Sequence, residues 1–181
     1  YHKATYVLSL LLMPVFISLI MYTPEVIHIW TGSAIGPLWI NKIVFVTRLL
    51  LLGSFFLALQ FLPYYLLLSK GKTKYTIYQG VAQIILGLPM LYVLVNLRNI
   101  EGIGFTWVII NLGALIFLNI IVFSKYLHES SFMNYFINLY ILPFFITSTV
   151  FYIVYFIYKN STIPFYFPLI FSIIISLLIN V

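Results

Sequence analysis

Long apolar runs recur along almost the whole chain, and only short polar segments separate them. A helix needs roughly 20 apolar residues to cross the hydrocarbon core of a bilayer, so we interpret six of these runs as membrane spans. Their approximate bounds are 4–22, 40–68, 75–97, 104–124, 135–157 and 164–181. The chain is therefore predicted to be an all-α, polytopic transmembrane helix bundle in which residues 1–181 form a single membrane domain.

The composition supports a membrane class and argues against a soluble one. Hydrophobic residues make up 64% of the chain and charged residues only 7%, whereas a soluble domain carries about a quarter of its residues as charges. The net charge of +6 comes from cations scattered between apolar runs, where cations normally set membrane topology. We therefore expect membrane lipid as a partner and no nucleic acid. Without cysteine, disulfides and thiolate metal sites are excluded.

The cations are distributed unevenly between the two sides of the predicted bundle. Because cytoplasmic loops are enriched in Lys and Arg, the richer side is expected to be cytoplasmic, which places both the start and the end of this segment there. The richer side holds Lys3, Lys70, Lys72, Lys74 and Lys125, and the poorer side holds Lys42, Arg98 and Lys159.

Acid–base and nucleotide chemistry find little support in the sequence. The carboxylates Glu25, Glu101 and Glu129 all fall in predicted connections, and no two acidic or histidine side chains have metal-ligand or dyad spacing on one helix. Gly71-Lys72-Thr73 resembles the end of a phosphate-binding loop, but Leu66 stands where that motif needs a glycine. We therefore expect no enzyme: no catalytic residue, no metal site and no cofactor.

Arg48 is the most informative charged residue. It follows Asn41 by seven residues, so it lies on the same helical face and about 10 Å deeper in the membrane. A guanidinium at that depth costs a few kcal/mol, so it should face protein, water or an anionic ligand. Two interpretations stay open: contact with a phosphate-bearing substrate, or snorkelling of the long side chain toward the interface.

Amide side chains form a stripe on the third and fourth predicted spans. Gln79 and Gln83 are four residues apart and share one helical face, and Asn111 and Asn119 cluster similarly on the next span. Such residues make close helix–helix contacts in lipid, and they could equally line a hydrated sugar path. Prolines inside or near the ends of spans also leave two interpretations, a packing kink or a bendable gate helix; they are Pro14, Pro63, Pro89 and Pro143.

Several short motifs follow one another in a distinctive order. They are Tyr1-His2-Lys3 before a proline-containing span, Glu25 followed by Trp30-Thr31-Gly32, Leu62-Pro63-Tyr64 just before Gly71-Lys72-Thr73, and Gly102-Ile103-Gly104-Phe105-Thr106-Trp107 at the start of a span. Their order resembles the C-terminal part of bacterial polysaccharide repeat-unit flippases, which belong to the multidrug/oligosaccharidyl-lipid/polysaccharide exporter superfamily, and the resemblance covers roughly residues 1–127. Phe105 and Thr106 depart from the family, which is usually alanine-rich there.

The resemblance implies a transporter of twelve to fourteen helices in two lobes, of which this chain would supply most of the C-terminal lobe. The chain does not begin with Met, and about eight helices would precede it. The implied cargo is an undecaprenyl-diphosphate-linked oligosaccharide for O-antigen or related lipopolysaccharide biosynthesis at the cell inner membrane. A polysaccharide polymerase or other assembly proteins would be further partners.

On this resemblance, the substrate-binding candidates are Arg48 and Asn41 for the diphosphate and Gln79, Gln83 and Asn111 for the glycan. Two alternatives share the sequence features. One is a cation-coupled drug or metabolite exporter of the same superfamily, which usually needs a carboxylate within a span. The other is a membrane scaffold subunit, in which the amide stripes would serve packing only.

Overall fold

The computed structural model describes residues 2–32, 36–126, 134, 137–159 and 166–179. Within these ranges the regular structure is helical and contains no strand, as an all-α bundle requires. The helices are α1 (His2–Met21), α2 (Thr23–Thr31), α3 (Pro37–Leu59), α4 (Phe61–Ser69), α5 (Thr73–Arg98), α6 (Glu101–Tyr126), α7 (Leu142–Lys159) and α8 (Tyr166–Ile179), with a π-helical turn at Ile137–Ile141 before α7.

Four helical segments in the described ranges are long and apolar enough to cross a membrane. They are Lys3–Met21, Trp39–Ser69, Thr73–Arg98 and Glu101–Tyr126, and they coincide with the first four predicted spans. The all-α membrane bundle expected from the sequence is confirmed. The fifth predicted span corresponds to α7, whose apolar part covers 17 residues from Leu142 to Tyr158, and the sixth to the 14 residues of α8.

The chain divides into two compact units. Among described residues, the first unit contains 45–126 and 134, which cover most of α3 and all of α4, α5 and α6. The second contains 2–32, 36–44, 137–159 and 166–179, which cover α1, α2, the start of α3, α7 and α8.

Close contacts at glycines hold the helices of the first unit together. Gly53 lies against the backbone of Trp107, and Gly104 lies against Leu49, so α3 and α6 approach closely at two levels. A Cβ atom at Gly104 would lie 2.7 Å from the Leu49 Cβ. Small residues permit such approaches, and in lipid the resulting van der Waals contact is a main source of helix association.

A break at Gln60 divides one long apolar segment into α3 and α4. Pro63 lies four residues after Leu59, so its ring crowds the Leu59 carbonyl and it has no N–H to donate to that carbonyl. The backbone responds with a tighter turn, in which the Gln60 N–H donates to the Leu57 carbonyl at 3.1 Å. The segment predicted as one continuous span is therefore interrupted at Gln60, whose side chain is 3% exposed, whereas Pro14 and Pro89 lie within uninterrupted helices.

A glycine-capped turn joins α4 to α5. Gly71 adopts a positive φ of 67°, its N–H donates to the Leu68 carbonyl, and the Lys72 N–H donates to the Leu67 carbonyl, both at 2.9 Å. This pair of bonds is the Schellman arrangement that closes a helix C-terminus. Gly71 thus serves as a helix cap in a Gly-Lys-Thr sequence that superficially resembles a phosphate loop.

Aromatic rings contribute to the packing of the second unit. Tyr22, at the junction of α1 and α2, is fully buried. Its ring centroid lies 5.4 Å from that of Tyr155 in an edge-on contact and 6.1 Å from that of Tyr158. Edge-to-face pairs at these distances are favourable beyond the area they bury.

Two carboxylates lie in helices, although the sequence analysis placed them in connections. Glu25 occupies the first turn of α2, a nine-residue helix that was not predicted, and Glu101 occupies the first turn of α6. Both positions are physically favourable because a negative charge stabilises the positive end of the helix dipole. Glu129 lies outside the described residues.

Candidate functional site

A pocket of about 540 Å³ lies between α5 and α6 in the first unit. Most of its wall is aliphatic or aromatic, and two amide side chains, Gln79 and Gln83, line it one helical turn apart. None of the described residues that line it is titratable. The full lining is Gln79, Ala82, Gln83, Leu86, Met90, Ile109, Ile110, Gly113, Ala114 and Phe117.

Behind this pocket, three amide side chains from three helical segments form a buried network. Gln79 of α5 donates from Nε2 to the Gln60 Oε1 at 2.8 Å. Gln60, at the α3–α4 break, donates from Nε2 to the Asn111 backbone carbonyl of α6 at 2.9 Å. Asn111 donates from Nδ2 to the Trp107 carbonyl at 2.8 Å. All three amides are buried, with exposed fractions of 8% or less.

The network leaves one acceptor without a protein partner. The Gln79 Oε1 is buried and receives no hydrogen bond from the described residues. A buried, unpaired carbonyl oxygen costs about 1–3 kcal/mol. Gln83 lies one turn further along α5 and is only half-buried, so its amide is the more accessible polar group on the pocket wall.

The predicted site residues therefore occupy different environments. Gln79 and Asn111 are brought together through Gln60, and Gln83 adjoins them on the pocket wall. Arg48 is half-buried on α3 and is not among the residues that line this pocket, although it belongs to the same unit. Asn41 is exposed near the start of α3 and belongs to the second unit.

Gln60 is the residue that sequence reasoning missed. It was counted as part of one continuous apolar span, because a single amide next to Phe61 and Leu62 changes the hydrophobicity of that stretch very little. Two sequence features could have found it: an uncharged polar side chain inside a span needs a partner, and it precedes Pro63 by three residues, where a helix loses its regular bonds.

The pocket is chemically suited to an apolar ligand that presents one or two hydrogen-bonding groups. Its aliphatic and aromatic walls favour hydrocarbon, and the amide of Gln83 can both donate and accept. The buried network orients the Gln79 side chain, because the Gln79 Nε2 donates a hydrogen bond to Gln60.

Part of the chain is similar in sequence to a known protein. Over 106 residues, or 59% of this chain, the sequence is 29% identical to a Shigella flexneri protein provisionally named an O-antigen transporter. The match covers 24% of that protein, so the chain spans about a quarter of its length. No protein-family model and no solved structure matches the chain. The similarity supports the coarser part of the resemblance, a related membrane transporter.

Proposed function

We propose that this chain is part of a multi-pass flippase that moves lipid-linked oligosaccharide repeat units across the bacterial inner membrane. The observation that carries the proposal is the 106-residue similarity to a protein provisionally named an O-antigen transporter. That similarity falls on a chain with four helical segments able to cross a membrane. Such a function needs a path through the bundle and no bond-making chemistry, so no catalytic residue or cofactor is proposed.

In this proposal, Arg48 binds the diphosphate of the cargo. A guanidinium offers several donors in a planar fork that matches phosphate oxygens, and the side chain is half-buried within a membrane-spanning segment. A guanidinium in a membrane span should face protein, water or an anionic ligand. Asn41 is proposed as a second polar contact nearer the start of α3.

The glycan contacts are assigned to the α5 pocket wall. Gln83 is the leading candidate because its amide is half-buried and lines the pocket. Gln79 and Asn111 are proposed to act mainly by shaping that wall, because both hydrogen bond within the Gln60 network. A direct glycan contact by Gln79 would use its unpaired Oε1 and would require a change of side-chain rotamer.

The test is Arg48→Ala in the complete protein, with surface polysaccharide and protein level measured together. We expect a loss of about tenfold or more in surface polysaccharide at unchanged protein level, consistent with the 1.5–3 kcal/mol typical of a hydrogen bond to a charged group. Arg48→Lys should retain part of the activity because it keeps the positive charge. The retention should be incomplete because lysine lacks the planar guanidinium donors.

Lys42→Ala is the matched control. Lys42 is an exposed cation on the same helix, so its removal should leave polysaccharide levels unchanged. Normal surface polysaccharide in Arg48→Ala would remove Arg48 from the mechanism. Equal losses in both variants would indicate a general effect of charge on insertion.

A further inference from the structure

Four lysines converge where three helices of the first unit reach one end of the bundle. Lys70 and Lys72 lie in the turn between α4 and α5, Lys74 lies in the first turn of α5, and Lys125 lies in the last turn of α6. All four side chains are exposed. Lys125 is distant from the other three in sequence, and the fold brings it to them.

Tyr75 is the centre of this group. The Lys125 ammonium donates a hydrogen bond to the Tyr75 hydroxyl and lies 4.4 Å from the centroid of its ring. The Lys74 ammonium lies 5.3 Å from the same centroid. Both distances are within the range of cation–π attraction, so one aromatic ring contacts both cations.

The scaffold beneath this group is well packed. Leu67 of α4 and Leu118 and Val122 of α6 are fully buried, and Tyr75 packs against this cluster. The Gly71 cap fixes the turn that carries Lys70 and Lys72. The lysine side chains therefore extend from an ordered platform, and their relative positions follow from the fold.

No carboxylate among the described residues of this unit lies beside these lysines; Glu129, four residues after Lys125 in the sequence, is outside the described residues. Glu101 is the carboxylate in the described part of the unit, and it lies in the first turn of α6. It precedes Lys125 by 24 residues, which corresponds to about 36 Å along the helix. Like charges held together repel one another, and an anion placed between them relieves that repulsion.

The position of the cluster at the ends of three candidate spans favours lipid phosphate as the anion. Spans end at Ser69 and Tyr126, and another begins at Thr73, so the lysines lie where three helices leave the hydrocarbon core. Phosphate groups of lipids occupy that level, and several cations next to a membrane-spanning helix are a recognised means of binding anionic lipid. Tyrosine is also favoured at this interface.

We propose that Lys74 and Lys125, held around Tyr75, form a binding site for the headgroup of an anionic phospholipid, with Lys70 and Lys72 at its edge. The site is separate from the α5–α6 pocket and does not depend on the transport function proposed above. It would fix this end of the bundle to the anionic leaflet.

The test is native mass spectrometry of the detergent-solubilised protein, titrated with phosphatidylglycerol or with phosphatidylcholine of the same acyl chains. We expect the unmodified protein to prefer phosphatidylglycerol by about tenfold, given the attraction of two lysines near the surface. Lys74→Gln/Lys125→Gln should bind the two lipids about equally, and Lys74→Arg/Lys125→Arg should retain the preference because it keeps both charges and the aromatic contact.

Lys3→Gln/Lys42→Gln is the matched control. It removes the same charge from two exposed lysines elsewhere, and Lys42 also lies over a ring, 5.4 Å from that of Trp39. The control should keep the preference for phosphatidylglycerol. The proposal is overturned if both glutamine variants lose it equally, if the unmodified protein binds both lipids alike, or if millimolar inorganic phosphate displaces the lipid fully.

Discussion

One group of polar side chains from each unit illustrates two different hydrogen-bonding arrangements. In the first unit, the amides of Gln60, Gln79 and Asn111 connect three helical segments through buried hydrogen bonds. In the second, the hydroxyls of Ser18 and Thr149 each donate to a carbonyl of their own helix, at 2.7 and 2.8 Å. The first arrangement depends on how the helices meet, and the second forms in any isolated helix.

This difference predicts where the structure is sensitive to substitution. A bond between helices has no ready substitute in lipid, so removing one partner leaves the others buried and unpaired. A hydroxyl bonded to its own backbone can be lost without disturbing any neighbour. Glycines with close backbone neighbours add a second sensitive class, and these also occur in the first unit, between α3 and α6 and at the α5–α6 turn.

The largest effect is expected for Gly102→Ala at the α5–α6 turn. A Cβ there would overlap the Leu94 carbonyl and lie 2.6 Å from the Val95 nitrogen, and backbone cannot move aside as a side chain can. We expect a loss of about 3 kcal/mol in the free energy of unfolding, at the upper end for overpacking. The free energy of unfolding can be measured by titrating sodium dodecyl sulfate into mixed micelles while following tryptophan fluorescence.

Gly80→Ala provides the control for that substitution. A Cβ at Gly80 meets nothing within 4 Å, and alanine favours helix by nearly 1 kcal/mol. This variant should be neutral or slightly stabilising. If both alanine variants behaved alike, close packing at Gly102 would not distinguish this turn from an open helix surface.

A smaller but more diagnostic effect is expected for Gln60→Leu. The substitution removes the acceptor of Gln79 and the donor to Asn111, and we expect it to cost about 2 kcal/mol through unpaired buried groups. Gln79→Leu should cost less in the Gln60→Leu background than alone, with a coupling of about 1 kcal/mol. Unfolding of the unmodified protein, the two single variants and the double variant in the same micelles measures this coupling. Strict additivity would contradict a shared network.

The sequence was sufficient for the class of fold because the decisive quantity, the length of apolar runs, is local. Four runs predicted as spans coincide with helical segments long enough to cross a membrane. Gln79 and Gln83 were correctly placed on one face of α5, since helical periodicity alone determines that.

What the sequence did not predict depends on contacts between distant residues. Asn111 and Gln79 were found in separate stripes, and their link through Gln60 requires knowing how three helical segments meet. Lys125 was assigned to the same membrane side as Lys74, but its contact with Tyr75 follows from the packing of α4 and α5 against α6. Helix α2 was missed because the segment between the first two spans was interpreted as a connection; its Pro24 lies in the first turn of the helix, where proline is tolerated.

The smallest effect tests the second unit directly. Thr149 is exposed on α7, and its hydroxyl donates to the Phe145 carbonyl one turn earlier at 2.8 Å. Thr149→Val keeps the shape of the side chain and removes that bond, so we expect a change below about 0.5 kcal/mol in the free energy of unfolding. Thr106→Val is the corresponding variant in the first unit, where the hydroxyl also bonds its own helix but is buried. A small effect in both variants would show that the bonding pattern, rather than the unit, determines how strongly a substitution changes the free energy of unfolding. A cost above about 1 kcal/mol for Thr149→Val would show that this hydroxyl also serves a contact between helices. The contrast between the two units would then be weaker than their hydrogen bonds indicate.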